Sequence, residues 1–399
     1  MKKTLSLSLL LSSLLYSDSE LSEIKERLQQ QDIKIQALEK VAQERSSVNQ
    51  SASFSQNAYL PDMALILNMS AVSRDVKNSE YETYSIPGFI QTGDAAIPFN
   101  KERGFNLNYA EFAIRSSVDP YFEVFANFHL HPNEFEIGEA FVQTRALPYA
   151  LFLKAGKFKS SFGRINSKHQ HSWNFDMQPI IYEALFGPDA ISDPGVQLQY
   201  LFPTDIYIMA GVEAMQGSNE RSFGDTEENN LYIGYLKSSV DITDEFSFLG
   251  GLSIAHGKNT TANTTDVYGA DITLRQQLDS YSSLVLQAEY LDRNKDLGDT
   301  TDKQAGLYAE LVYKVNKNYS AGVRYDAITK NETNLPPNTD CDNLQKYGAM
   351  LEYKPFEFSR LRLQYSYDQT KIINGERRDI NEVILSLNIA AGAHGAHSY

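Results

Sequence analysis

Two histidine pairs stand at i, i+2 spacing, His129 with His131 and His169 with His171. On a strand, residues i and i+2 share one face. Glu134 and Glu136 follow the first pair. Imidazole and carboxylate groups at this spacing suit zinc or another divalent transition metal. Polar pore lining, or ordinary surface histidines, is the other reading of the same residues. A second set is basic: Lys154, Lys157, Lys159, Arg164 and Lys168 crowd one stretch. At the narrowest point of a pore they would favour anions, and at the rim they would not. Acidic residues oppose them at Glu220, Asp225, Glu227 and Glu228, and again at Asp340 and Asp342. At a pore mouth these would gather cations, so ion preference stays open. Ser and His are both present, but no Gly-x-Ser-x-Gly element marks a nucleophile. No catalytic residue is assigned, and an outer-membrane β-barrel hydrolase is kept only as the alternative from another class.

The elements that must position these groups follow from composition and period. The chain has 399 residues, with 51 acids against 36 bases and a net charge of −15. That balance argues against nucleic acid as a partner. After the first 16 residues no apolar run approaches the roughly 18–20 residues of a membrane helix. A membrane β-barrel remains open, because alternating strands average to a hydrophilic composition. The 24 Tyr and 21 Phe against one Trp point the same way. The lone Cys341 excludes an internal disulfide and a thiol-based zinc site.

Met1-Lys2-Lys3 followed by the apolar Leu5–Leu15 run reads as a signal peptide over 1–17, cut near Ser17. A buried N-terminal helix is the other reading. Leu21, Ile24, Leu28, Gln31, Ile35, Leu38 and Ala42 then make a heptad seam. We read 18–46 as a short α-helical coiled coil in the periplasm, or else as an amphipathic helix lying on the barrel. Residues 47–60 are a polar linker.

From Pro61 the period becomes 2. Leu361, Leu363, Tyr365 and Tyr367 alternate with Arg362, Gln364 and Ser366, and Val383, Leu385, Leu387 and Ile389 with Ile384, Ser386 and Asn388. A soluble sandwich alternates too. Turn spacing separates the two. Tight connections such as Asp119-Pro120, Thr243-Asp244 and Asn316-Lys317 alternate with long polar ones at 77–102, 164–193, 217–229, 257–264, 295–302, 329–343 and 371–379. Each tight turn has an aromatic beside it: Tyr121, Tyr149, Phe202, Phe246, Tyr281, Tyr319 and Phe356. Short turns on one side, long loops on the other and an aromatic girdle are the pattern of a transmembrane barrel. The sequence therefore predicts an all-β membrane protein over 61–399, a 16-stranded antiparallel barrel in the outer membrane of a Gram-negative bacterium. Tyr399 supplies a terminal aromatic that suits barrel assembly.

Glu139-Ala140-Phe141-Val142-Gln143-Thr144, Lys154-Ala155-Gly156-Lys157-Phe158, Phe162-Gly163-Arg164, His169-Gln170-His171-Ser172-Trp173 and the Gly392–Tyr399 ending resemble the zinc-regulated outer-membrane proteins, often labelled TonB-dependent. The Ala-Gly-Lys-Phe and Phe-Gly-Arg elements also resemble the phosphate-selective porin O/P group. The likeness is densest over 137–200 and at the C-terminus. It implies a porin whose longest loop, 164–193, folds into the lumen as the constriction. A 22-stranded plugged barrel needs far more chain than 399 residues, so TonB is not an expected partner.

The expected function is passive diffusion of small hydrophilic solutes or ions, with a divalent-metal link, and the alternative is a phosphate-type anion-selective porin. Lys314, Arg324 and Arg362 alternate with apolar neighbours and are expected to face the lumen, since a basic side chain facing lipid at the midplane costs about 2–4 kcal/mol. The expected partners are outer-membrane lipid, solutes or ions, and two further copies of the chain in a homotrimer. No cofactor is required. Zn2+ is the one candidate, held where His169 or His171 approaches His129 and His131 across the lumen, with Glu134 near. Neutral imidazole is the ligand form, so such binding would fade as pH falls through about 6.5.

Overall fold

The computed structural model describes residues 61–392, apart from 132–133, 146, 225–226, 228–229, 336–338 and 342, and of Glu134 it describes the backbone alone. The expected leader at 1–17, heptad helix at 18–46, linker at 47–60 and terminal residues 393–399 lie outside the described residues, as do Asp225, Glu228 and Asp342.

The expected strands form. They are β1 (Asp62–Arg74), β2 (Gly104–Ser117), β3 (Phe122–His131), β4 (Glu134–Thr144), β5 (Leu151–Lys159), β6 (Ser192–Leu201), β7 (Tyr207–Met215), β8 (Leu231–Asp241), β9 (Phe246–Lys258), β10 (Thr264–Gln277), β11 (Ser283–Asp296), β12 (Thr301–Lys314), β13 (Tyr319–Glu332), β14 (Gln345–Phe356), β15 (Ser359–Ile373) and β16 (Glu376–Gly392). Each pairs antiparallel with its sequence neighbours, and β1 pairs with β16 to close the barrel. Arg74 Nε donates to Glu382 Oε2 at 2.6 Å across that closing seam, with both side chains buried. Closure gives each described strand a neighbour on both sides, as a bilayer requires.

Alternation sets the two faces. On β15, Leu361, Leu363 and Tyr365 are exposed while Arg362, Gln364 and Ser366 are buried. The exposed face is apolar and the enclosed face polar, the reverse of a soluble sandwich. This is the arrangement of a transmembrane barrel.

The tight turns are built by Asp and Asn side chains that accept from backbone N–H groups two and three residues on. Asp119 Oδ1 accepts from Tyr121 and Phe122 at 2.7 and 2.8 Å. Asp279 does the same for Tyr281 and Ser282, and Asn316 for Asn318 and Tyr319. The aromatics beside these turns stand in the open: Tyr121, Tyr149, Phe202, Tyr281, Tyr319 and Phe356 are exposed, and Phe246 is half-buried.

At the opposite end two expected loops are shorter than the sequence suggested. The strands run on past the apolar segment, because their polar ends still pair. Lys371 faces Arg378 and Ile373 faces Glu376, leaving only Asn374-Gly375 as the turn between β15 and β16. Both residues have positive φ, 54° and 81°, as a type I′ hairpin needs. Likewise Asp296 pairs with Thr301.

Two long connections turn inward. Residues 75–103 carry a short helix, α1 (Asn78–Tyr81), and pack Val76, Tyr81, Tyr84, Ile86 and Ile90 against Ile373 and Ile380. Residues 160–191 enter the barrel with α2 (Ile180–Phe186), every residue of which is buried. Phe162, Ile181, Leu185 and Phe186 meet wall residues such as Leu231, Val267 and Leu291 in one apolar cluster with Phe158. One sector of the interior is therefore apolar, which strand alternation alone did not predict.

Candidate functional site

The loop predicted at 164–193 occupies 160–191 and crosses the lumen. Its path is fixed by wall groups from many strands. Arg164 Nε donates to Asp271 of β10 at 2.8 Å. Asn174 donates to Glu310 of β12 at 2.6 Å. The Ile180 N–H donates to Asp326 of β13 at 3.0 Å, and the Tyr182 hydroxyl donates to Glu289 of β11 at 2.7 Å. Arg324 donates to the Met177 carbonyl at 2.6 Å. Arg362 bridges Glu352 and Asp176, at 2.6 and 3.2 Å, and Asp176 also accepts from Ser386 of β16 at 2.9 Å. Lys371 pairs with Glu183 at 3.1 Å. Tyr84, from the first inward loop, also donates to Glu183. Burial pushes the Glu183 carboxyl up, but Lys371 and Lys346, with the hydrogen bonds, outweigh it and hold it down to about 2.

Gly163 sets the entry. Its φ is +61°, and a Cβ there would fall on the Glu289 carboxylate and the Tyr182 hydroxyl. Only glycine combines this backbone with this close approach.

The histidines gather at one side of the same loop. Glu111 of β2, His129 of β3 and Glu136 of β4 stand in one row across three strands, since Glu111 registers with His129 and His129 with Glu136. A bulge makes the last pairing: Asn127 faces Glu139 but Phe128 faces Ile137, so Gly138 is the extra residue. Without it Ile137 would share the inner face with Glu139. A Cβ on Gly138 would lie 2.7 Å from Asn127 Oδ1 and 3.1 Å from His129 Cε1.

The loop then brings its own pair to this row. Three imidazole nitrogens surround Glu111 Oε2: His129 Nε2 at 3.3 Å, His171 Nδ1 at 3.6 Å and His169 Nδ1 at 4.0 Å. The His169 and His171 rings stack at 5.7 Å, and His129 is 6.3 Å from His169 and 6.2 Å from His131. His169 Nε2 donates to Glu139 at 2.7 Å, and His131 Nδ1 donates to the Asn108 carbonyl at 3.0 Å. Burial disfavours the His169 imidazolium, but the bond to Glu139 and the charge of Glu111 outweigh it and raise its pKa above the usual histidine value. Glu111, His129 and His169 have ligand atoms close enough to share one ion, as do His129, His131 and Glu136.

The basic set divides. Arg164 is in the lumen, paired as above. Lys168 is on the inserted loop, where burial pushes its ammonium pKa down. Lys154 lies over the Phe141 ring at 4.6 Å and lines a cavity of about 420 Å³ toward the short turns with Arg115, Glu123, Gln143, Gln197 and Gln199. Lys157 and Lys159 do not join them. They alternate with Phe158, which is fully buried inside the barrel, and so leave β5 on its outer face. At the long-loop rim, where β4 has left β5, Lys157 reaches round to the Ile137 carbonyl at 2.6 Å and to Glu136 at 3.6 Å, and Lys159 reaches the Asp189 carbonyl at 3.2 Å. Arg324 and Arg362 are buried in the lumen, where they hold the loop. Lys314 has the inward parity of Tyr308 and Glu310 but stands exposed beside a tight turn. Glu111 and Glu139 are the site carboxylates that sequence reasoning missed. Their signal is weak: each is an acid on an inward parity, and only the strand register brings it level with the histidines.

The fold and this inserted loop define a transmembrane β-barrel with a narrowed, charged lumen. No family model matches the chain. It belongs to one family with a protein of Aquifex aeolicus (strain VF5) described as uncharacterized, being 38% identical over 90% of this chain and 84% of that one. Among solved structures it shares its fold with the outer membrane channel DcaP of Acinetobacter baumannii (TM-score 0.55, 12% identity, covering 84% of this chain and 99% of that chain). It likewise matches an anion-selective porin from Comamonas acidovorans (0.55, 10%, 83% and 99%) and OprB of Pseudomonas putida (0.53, 11%, 84% and 95%).

Proposed function

We propose that this protein is a Gram-negative outer-membrane porin that lets small hydrophilic solutes or ions diffuse through a lumen narrowed by residues 160–191. The observation that carries the reading is the loop's attachment. It is held by charged and polar groups of the wall from β4 round to β16, which leaves the remaining passage lined by charges of both signs. The fold shared with DcaP, the Comamonas porin and OprB supports the same reading. In this orientation the tight turns face the periplasm and the long loops the outside. Around the cavity near the short turns Glu123 pairs with Arg115, and Lys154 and Arg145 leave a basic excess that favours small anions as the passing solutes. The heptad seam from Leu21 to Ala42 supports a homotrimer. Deleting 18–46 should then loosen the oligomer and leave the barrel folded, whereas unchanged crosslinking would give that segment another task.

Planar-bilayer recording of the purified protein tests the pore. Discrete open-channel steps are expected. A folded barrel that stays silent and hydrolyses esters would replace the pore with the hydrolase reading.

A further inference from the structure

We propose that Glu111, His129 and His169 bind one divalent transition-metal ion, with His171 close enough to Glu111 to swing in as a fourth ligand, and that this ion staples the lumen loop to the barrel wall. The stapling half rests on the pore reading, while the binding half stands on geometry alone.

The ligand atoms of Glu111, His129 and His169 lie within 4.8 Å of one another, so small side-chain shifts bring them to coordinating distance. Zinc–nitrogen and zinc–oxygen bonds of about 2.0–2.2 Å place tetrahedral ligand atoms about 3.3–3.6 Å apart. The three imidazole nitrogens stand 3.3, 3.6 and 4.0 Å from Glu111 Oε2. Glu111 is 2% exposed and His169 6%, so these ligands are held away from competing water. Four of the chain's seven histidines converge here.

The surrounding hydrogen bonds prepare the ligand nitrogens. In the neutral form that a metal takes, His169 donates its Nε2–H to Glu139 and turns Nδ1, the nitrogen facing Glu111, toward the ion, which displaces the second proton. A metal-binding histidine commonly donates its other N–H to a carboxylate in this way, which fixes its tautomer and raises its basicity. Asn127 Oδ1 accepts from the Glu139 N–H and Gly138 admits the Asn127 side chain, so the orienting carboxylate is itself held.

The elements give the site its consequence. Glu111 and His129 belong to β2 and β3, whereas His169 and His171 belong to the loop. An ion bound by both sets ties the loop's first half to the wall. The second half is tied opposite, through Glu183 and Lys371.

The test uses the full chain, purified without a polyhistidine tag, in a His394→Ala/His397→Ala background so that the tail histidines add no site. Zinc is titrated by calorimetry, and cobalt by its visible absorption. One saturable equivalent per chain is expected, with the intense absorption of a four-coordinate cobalt site. His129→Ala with His169→Ala should abolish both signals, and His256→Ala should change neither. Glu139→Gln should weaken binding by about 10–100-fold. Heat-modifiable gel mobility checks that each variant remains a folded barrel. No saturable binding, or binding unchanged in the double variant, overturns the site and reduces the cluster to a hydrogen-bonded clamp. In the same preparations, saturating zinc should lower single-channel current in the parent and leave the double variant unaffected. Zinc binding with unaltered current overturns the staple alone. Binding to a barrel that never conducts overturns the porin reading and leaves the metal site standing.

Discussion

His169 Nε2 lies 2.7 Å from Glu139 Oε2, a bond that spans 30 residues of chain and joins the inserted loop to β4. Both partners are buried, so the bond forms only if the loop has entered the barrel. The loop is thus a built part of the lumen, anchored from this side by imidazoles and from the other by Lys371 and Arg362.

Gly163→Ala should dislodge the loop entry. The added methyl would meet Glu289 and Tyr182 on a left-handed backbone, a change expected to cost more than about 1 kcal/mol. Protease access to Arg164 and Lys168 in the folded barrel should rise. Gly234→Ala serves as the control, since its methyl meets only Ile254 Cγ2, at 3.6 Å. Equal resistance in both variants would remove Gly163 from this role.

The Glu183–Lys371 anchor should be sensitive to acid. The Glu183 carboxyl is held down to about 2 from an ordinary value of 4.5. A depressed carboxyl gives its full stabilisation above the ordinary value and loses it as pH falls through the depressed one. Loop attachment should therefore weaken between about pH 4.5 and 2, seen as rising conductance. Glu183→Gln should remove most of this rise. Removing one partner of a buried pair costs about 3–5 kcal/mol, so the variant should also conduct more at pH 7. A pH response identical to wild type would move the acid effect to another group.

The strand register makes its own prediction. In a Cys341→Ser background, labels at Leu363 and Leu385, which are 45% and 43% exposed, should be quenched by lipid-soluble quenchers. Labels at Lys314 should be quenched from water. The opposite pattern would invert every strand.

Much of this was legible in the sequence. Alternations such as Leu361-Arg362-Leu363 gave the strands, because in a barrel the two faces meet different solvents. Asp119, Asp279 and Asn316 marked the tight turns through side chains that close them locally. The histidine pairs stood out by their spacing, whereas the inward course of the loop was expected only from the resemblance to porins. What the sequence hid depends on register and on distant packing. Glu111 reads as one acid among many until β2 is aligned with β3. The Gly138 bulge decides that Glu136 faces inward, and nothing in the spacing of 134–139 marks it. Lys157 and Lys159 looked equivalent to Lys154 until Phe158 was found inside, which assigned the lysines beside it to the other face. The inward fold of 75–103 was missed because Val76, Tyr81, Tyr84 and Ile86 follow no strand period, and their apolar partners, Ile373 and Ile380, lie near the other end of the chain.

The most direct test of a pore narrowed by 160–191 is single-channel conductance before and after the loop's anchors are cut. Asn174→Ala, Asp176→Asn and Glu183→Gln together alter only loop side chains and leave the wall intact. The wild-type protein should show small, discrete steps, and the triple variant should show clearly larger ones at the same salt and voltage. Steps of equal size in both, or a folded wild-type barrel with no steps at all, would contradict the account.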